Sequence, residues 1–355
     1  MASSFPPDCV PIIQSYLDIE DFVKSRSIGS EWIQKHSKYV KEVDYQSRLP
    51  IPEYLVNVKV SGAMTSDVLK KALHLKRLYL NRNMSDDGIK DLVNLTHLTC
   101  SNDTSDDGVK NLKKLEYLGM VEHISGDCLA SLPYLDNLWI VSNSLFKNRD
   151  LPKLKLRRIA FSGPVIQELV DIPTLKKITY TGKDVLKASF LNKMPQLTDI
   201  YCDEIDNIDQ LRLPNLKRLT TDQENLFGVG KLTNLKEMYH TGYETNISDQ
   251  DLLPLVNLQV LYLGRKTINV TNLGISQMKN LDTFSMGGCK VNGEGLRQLP
   301  KLEYLFLDSV QLENDDIEDL PIKYIDLGEN TKINRDCKIM KKIQYDPCKN
   351  PHFNF

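Results

Sequence analysis

The chain repeats itself. Leu75-Lys-Arg-Leu78-Tyr-Leu80-Asn-Arg-Asn83 spaces its apolar residues as L-x-x-L-x-L and ends on Asn. A polar turn and the short apolar-periodic piece Gly88-Ile-Lys-Asp-Leu92 follow. Twenty residues on, the pattern returns at Leu95, Leu98 and Cys100, and again at Leu115, Leu118 and Met120. One frame places starts at Leu55, Leu75, Leu95, Leu115, Leu135, Leu156, Leu175, Leu197, Leu216, Leu235, Leu258, Leu281, Leu302 and Ile322, in steps of 19 to 23 residues. A fixed period of that size constrains the architecture more than any local propensity does.

The alternating x-L-x-L-x segment predicts a short strand with one buried face. The Asp-Asp-Gly and Gly-rich segments predict turns. The second half of each unit is long enough for a turn or two of α- or 3₁₀-helix. A single unit cannot bury its own apolar face, but stacked units share a continuous core. Residues three and five beyond each start are expected to point inward, with Thr221 and His240 as polar exceptions.

These repeats resemble the leucine-rich repeat family. The resemblance implies an α/β solenoid, a horseshoe with a parallel sheet on its concave face. The family's ninth position carries Asn or Cys, which bonds neighbouring backbone. Here only Asn83, Asn143, Cys289 and Asn330 comply, whereas Lys183, Glu224, Tyr243 and Val310 do not. Uneven turns are therefore expected in the middle of the stack.

The first forty-five residues do not repeat. Asp8 and Asp18 stand where helix caps belong, with Pro11 in a first turn that tolerates its missing N–H. Ile12, Ile13, Tyr16 and Leu17, then Phe22, Val23, Ile28, Trp32 and Ile33, supply apolar faces. Phe5-Pro6, Asp8, Ile13, Ser15-Tyr-Leu-Asp18, Asp21-Phe22, Ile28 and Trp32 together resemble an F-box, from which Pro11, Ser25, Ser27 and Gly29 depart. The resemblance implies docking on a Skp-type linker protein, and through it a cullin, by Phe5, Pro6, Ile13, Leu17, Phe22, Ile28 and Trp32. Some of these, Trp32 first, would instead form the F-box's own core. The order F-box then repeats is similar to that of substrate adaptors of cullin–RING ubiquitin ligases. The alternative is a stand-alone repeat scaffold whose first helices only cap the solenoid. The Lys, Asn, Asp, Ile and Tyr richness is that of a low-GC genome, and the short, irregular repeats with the departing F-box resemble the F-box/repeat proteins of large amoeba-infecting DNA viruses, to which a protist or intracellular bacterial chain would look similar.

Three segments are expected: residues 1–45 as an F-box-like helical domain, 46–330 as about fourteen repeats, and 331–355 as a C-terminal cover and tail. Val40-Lys-Glu-Val-Asp-Tyr45 has strand spacing and reads as the joint. In the tail, Ile339, Met340 and Ile343 can face inward.

Partner binding is expected where strand side chains leave the core, at the third, fifth and seventh positions of each repeat. Six of the fourteen fifth positions are aromatic, against 8% of the whole chain, which is more than a merely solvated sheet requires. Tyr79, Tyr117, Trp139, Tyr201, Tyr239, Tyr262, Tyr304 and Phe306 are the expected target-binding residues. Aromatic side chains give large contact area at low entropic cost. They divide into an early cluster (Tyr79, Tyr117, Trp139) and a late one (Tyr239, Tyr262, Tyr304, Phe306). Arg77, Arg158, Lys177 and Arg218 lie on the first two-thirds of this face, and Asp199, Asp203, Asp222, Glu237, Asp308 and Asp326 on its latter half.

No catalytic constellation, cofactor motif or metal-ligand spacing stands out. The six His are scattered, and the Asp-Asp-Gly pairs recur as turns. Seven cysteines without CxxC spacing give no zinc signal, and Cys100 and Cys202 fall on core positions. A net charge of −2 gives no reason to expect nucleic acid or an anionic membrane as partner. No apolar run is long enough to span a bilayer, and no secretory leader is recognisable at the N-terminus. A reduced, cytoplasmic setting is therefore expected (host cytoplasm for a viral chain, or the nucleus), with the five Asn-x-Ser/Thr sequons unused.

Overall fold

In the computed structural model, residues 43–45, 51, 56–60, 64–80, 84–100, 103–141, 153–162, 172–182, 184–307, 310–328, 332–334 and 338–342 are described. The F-box-like segment with its seven docking residues lies outside them, as do Asn83, Asn143, Lys183, Asp308 and Asn330.

The chain divides into two compact units, Met1–Val165 and Ile166–Phe355. The first holds strands β1 (Val43–Tyr45), β2 (Asn57–Val60), β3 (Arg77–Leu80), β4 (His97–Thr99), β5 (Tyr117–Val121), β6 (Asn137–Val141) and β7 (Arg158–Ser162). The second holds β8 (Lys177–Tyr180), β9 (Asp199–Cys202), β10 (Arg218–Thr221), β11 (Glu237–His240), β12 (Val260–Tyr262), β13 (Thr283–Ser285), β14 (Tyr304–Phe306) and β15 (Tyr324–Asp326). Within each unit every strand pairs in parallel with the next in sequence. One strand per repeat, in sequential order, is the leucine-rich-repeat solenoid.

The register sets equivalent residues side by side: Leu78 on Leu98 on Leu118, and Met238 on Leu261 on Phe284. Start leucines from Leu75 through Leu302 are buried. The expected polar exceptions Thr221 and His240 are core residues, each satisfied in part by backbone. Cys100 and Cys202 are buried as expected. At the far end Ile339 is buried, within the helical turn Lys338–Lys342.

One strand breaks the frame. Met120 was expected to point inward beside Leu118, but Val121 is buried and Met120 is only half-buried. Met120 has φ +56°, and the β5–β6 register shifts between Leu118 and Val121, so that Val121 pairs Ile140. A β-bulge adds one residue there. Beside it the Tyr117 phenol folds back over Gly119, where a Cβ would collide with it.

Among the described residues a further Asn position bonds backbone between repeats. It sits one residue before the repeat start. Nδ2 of Asn94, Asn215, Asn234 and Asn257 donates to the carbonyl two residues before the preceding start: Leu73, Pro195, Pro214 and Thr233, at 2.8 to 3.0 Å. Adjacent strands lie about 4.8 Å apart, within reach of an Asn amide.

The Asp-Asp-Gly turns form a second stitch. The first Asp accepts from the next repeat, Asp86 from the Ser105 N–H (2.9 Å) and hydroxyl (2.5 Å), Asp106 from those of Ser125 (2.7 and 2.6 Å). Asp249 does the same for Thr271. The second Asp stays outside and pairs Lys90 or Lys110. The Gly then leaves the room the half-buried carboxylate needs, since a Cβ on Gly108 would overlap Asp86 and one on Gly274 would overlap Asp249.

Gly287 is tighter, because a Cβ there would meet the backbone carbonyls of Leu263 and Gly264. Gly108→Ala is expected to destabilise by about 1–3 kcal/mol, since a carboxylate can swing away at the cost of its bonds. Gly287→Ala should cost more, because only backbone can yield. Urea denaturation of the two variants checks the order.

Candidate functional site

The outward face of the second unit carries two rows set by the strand register. Third positions run Lys177, Asp199, Arg218, Glu237, Val260, Thr283, Tyr304, Tyr324, and fifth positions run Thr179, Tyr201, Thr220, Tyr239, Tyr262, Ser285, Phe306, Asp326.

Across these two rows the late aromatic residues form a connected chain. Tyr239 stacks on Tyr262 with centroids 5.3 Å apart. Tyr262 then meets Phe306 at 5.3 Å, although β13 lies between their strands. Ser285 makes this possible. It occupies the intervening position with a small side chain, and the two rings lean over it, leaving it buried. Phe306 continues to Tyr324 at 5.6 Å, and Tyr324 to Tyr304 at 6.5 Å. Such pairs stabilise by about 0.5–1.5 kcal/mol beyond their area. Sequence reasoning named Tyr239, Tyr262, Tyr304 and Phe306 as target-binding residues but not Ser285, whose only signal is a small residue between aromatic ones in one row. Tyr239, Tyr262 and Tyr304 are half-buried, whereas Phe306, between its neighbours, is only 8% exposed.

The third row neutralises itself. Arg218 binds Glu237 with two bonds (Nε to Oε2 2.7 Å, Nη2 to Oε1 2.8 Å) and reaches Asp199 at 2.7 Å. Tyr239 donates its hydroxyl to Glu237 at 3.1 Å, which orients the first ring of the aromatic chain. Burial and the Glu237 charge push the Tyr239 phenol well above its usual pKa, so it stays a donor. Arg218 is thus occupied by carboxylates and not a free cation of the face.

Beyond the strand ends the same face has two depressions. One, of about 620 Å³, is lined by Tyr239, Tyr262 and Phe306 on one side and by His240, Gly242, Gly264 and Arg265 on the other. The other, of about 640 Å³, is lined by Asp184, Asp203, Glu204, Asp222 and Glu224 with Gln223, Asn225 and Asn246. Partial desolvation and the neighbouring Asp222 push the Asp203 carboxyl upward.

In the first unit the outward face brings together less. His97 stacks on Tyr117 at 5.9 Å, and burial followed by the Arg77 charge lowers the His97 pKa. The Tyr117 phenol bonds Thr99. Tyr79 lies on the same row as Thr99. Trp139 is half-buried beside Ala160, and among the described residues no ring stacks on Trp139 or on Tyr201. The expected early cluster is therefore a His97–Tyr117 pair, with Trp139 standing apart.

Among the described residues no group of three or more His, Cys, Asp or Glu is placed to hold a metal ion, and no helix is long and apolar enough to cross a membrane.

Solved structures of the same fold include an internalin of Listeria monocytogenes, 20% identical over 77% of this chain and 88% of its own, with a TM-score of 0.52. A chain of the Toll–Spatzle complex of Drosophila gives 13% identity and a TM-score of 0.52 over 77% of this chain and 43% of that one. A leucine-rich-repeat protein of Leptospira interrogans covers 89% of this chain at 17% identity, with a TM-score of 0.49. No family model matches the sequence, and no curated protein does.

His240 links site and stability. It is 4% exposed, and its Nε2 lies 3.1 Å from the Gln223 carbonyl, which can only accept, so Nε2 carries the proton of a neutral ring. Burial lowers its pKa, against the pull of the Gln223 carbonyl and Asp222. A lowered histidine pKa means that the unfolded state binds the proton first. The neutral ring's stabilisation is thus fully present above the unfolded value of about 6.5 and is lost as pH falls below it. His97 acts in the same sense. His240→Leu, which has no charge to gain, should show a shallower loss of stability between pH 7 and pH 5 in thermal melts.

Proposed function

We propose that this chain is a protein-binding scaffold, with the outward aromatic face of its second unit as the principal contact surface. The observation that carries this reading is the chain of rings Tyr239–Tyr262–Phe306–Tyr324–Tyr304, held at 5.3 to 6.5 Å and oriented by Glu237. A row of half-buried rings costs little side-chain entropy to fix on binding, because it is already fixed. Inner strands have their backbone groups paired, so recognition falls to side chains and not to strand addition. The Toll–Spatzle complex is a leucine-rich-repeat fold seen with its partner, which favours the same use here.

The finer reading adds the first forty-five residues. Their F-box resemblance makes the chain the recognition subunit of a cullin–RING ubiquitin ligase. Phe5, Pro6, Ile13, Leu17, Phe22, Ile28 and Trp32 would dock a Skp-type linker, and the repeats would hold the target. On this reading the protein is a non-catalytic adaptor without cofactor or metal, working in the cytoplasm or nucleus. The stand-alone scaffold remains the second reading, and the observations on the repeats serve both.

Two pull-downs separate them. A purified Skp-type linker protein should be retained by the full chain and lost on Leu17→Asp and on Trp32→Ala. A folded full chain that retains none makes the protein a scaffold only. Target capture from lysate should fall at least tenfold for Tyr262→Ala and less for Trp139→Ala, with thermal melts as the folding control. Capture unaffected by both removes the aromatic face from the mechanism.

A further inference from the structure

The two depressions of the second unit share a wall. His240 lines the aromatic one, and its Nε2 bonds the carbonyl of Gln223, which lines the acidic one. The turn after β11 packs directly on the turn after β10, since a Cβ on Gly242 would collide with the Asp222 carbonyl. Together they form one trough that crosses the strand ends.

Its two halves differ in chemistry. The acidic half presents five carboxylates and, among its described lining residues, no Lys or Arg. The aromatic half balances Asp326 against Arg265, with Gly242 and Gly264 among its lining residues. The shared wall adds an independent feature. His240, more than nine-tenths buried, has an Nδ1 with no hydrogen-bond partner, set against Gly264. With Nε2 protonated, Nδ1 is an acceptor, so carboxylates and ring alike favour donors.

We propose that this trough binds an extended peptide segment of a partner protein that carries Lys or Arg three to five residues from a large apolar side chain. The cation sits among Asp203, Asp222 and their neighbours, and the apolar side chain rests on the Tyr262–Phe306 arch over Ser285. The spacing follows from geometry. Two to three and a half strand steps of about 4.8 Å separate the halves, and an extended chain covers about 3.3 Å per residue. This deepens the protein-binding reading of the same face and rests on it. Like-charged neighbours such as Asp203 and Asp222 gain from a shared cation what they lose by facing each other.

The test uses the full chain on an array of ten-residue peptides. A Lys-Arg pair stands one to seven residues from a Leu-Phe pair, and a matched array has Glu-Glu in place of Lys-Arg. Binding is expected to peak at spacings of three to five, to weaken at least tenfold on the Glu array, and to weaken as much for Asp203→Asn/Asp222→Asn. These exposed carboxyls are not part of the fold's stitching, so melting temperature should hold. Equal binding of both arrays, insensitivity to the double variant, or binding to no peptide overturns the proposal. The lysate capture above tells the two readings apart. A target lost with Tyr262→Ala but retained by Asp203→Asn/Asp222→Asn overturns this inference alone, whereas a target indifferent to both overturns the aromatic face as well.

Discussion

Within each unit, paired strand residues lie about 4.8 Å from their counterparts in the next repeat. That single condition governs the rest. It is favourable for apolar side chains, which is why Leu78, Leu98 and Leu118 can form one column. It suits Asn, whose amide spans that distance to the next carbonyl. It is awkward for like charges. The chain meets that difficulty by alternating signs, as in Asp199–Arg218–Glu237, or leaves it unresolved, as at Asp203 and Asp222.

The same condition explains why the turns look redundant and are not. In Asp86-Asp87-Gly88 and Asp106-Asp107-Gly108 the two carboxylates do different work. The first joins repeats, and the second pairs a lysine in its own turn. Gly108 is fixed by a neighbour twenty-two residues back and not by its own backbone angles. Loss of such a glycine is a loss of fit between repeats, so its effect should spread along the stack.

The columns were legible in the sequence because they depend on period alone: the start leucines, the strand positions, and the inward Cys100 and Cys202 all follow from counting. What depends on contact between repeats was not. The stitching Asn seen in the described residues lies before the start leucine, a position for which sequence reasoning had no expectation. The union of Tyr262 and Phe306 requires knowing that Ser285 is small and lies in line between them. The neutralisation of Arg218 requires knowing which carboxylates flank it, although all three residues had been placed on the same face. Residues 5–32, which carry the F-box resemblance, fall outside the described structure and stay a matter of sequence.

The bulge at Met120 bears on how such a chain tolerates change. A strand counts in twos, so one inserted residue would swap inside for outside in everything that follows. Here Gly119 and Met120 absorb the odd residue on the spot, and Val121 resumes the inward parity. The distance from Leu115 to Leu135 is still twenty, so the residue is borrowed from the turn that follows. The bulge works as a local correction of phase: a misprint in one line that leaves the next line starting at the same margin.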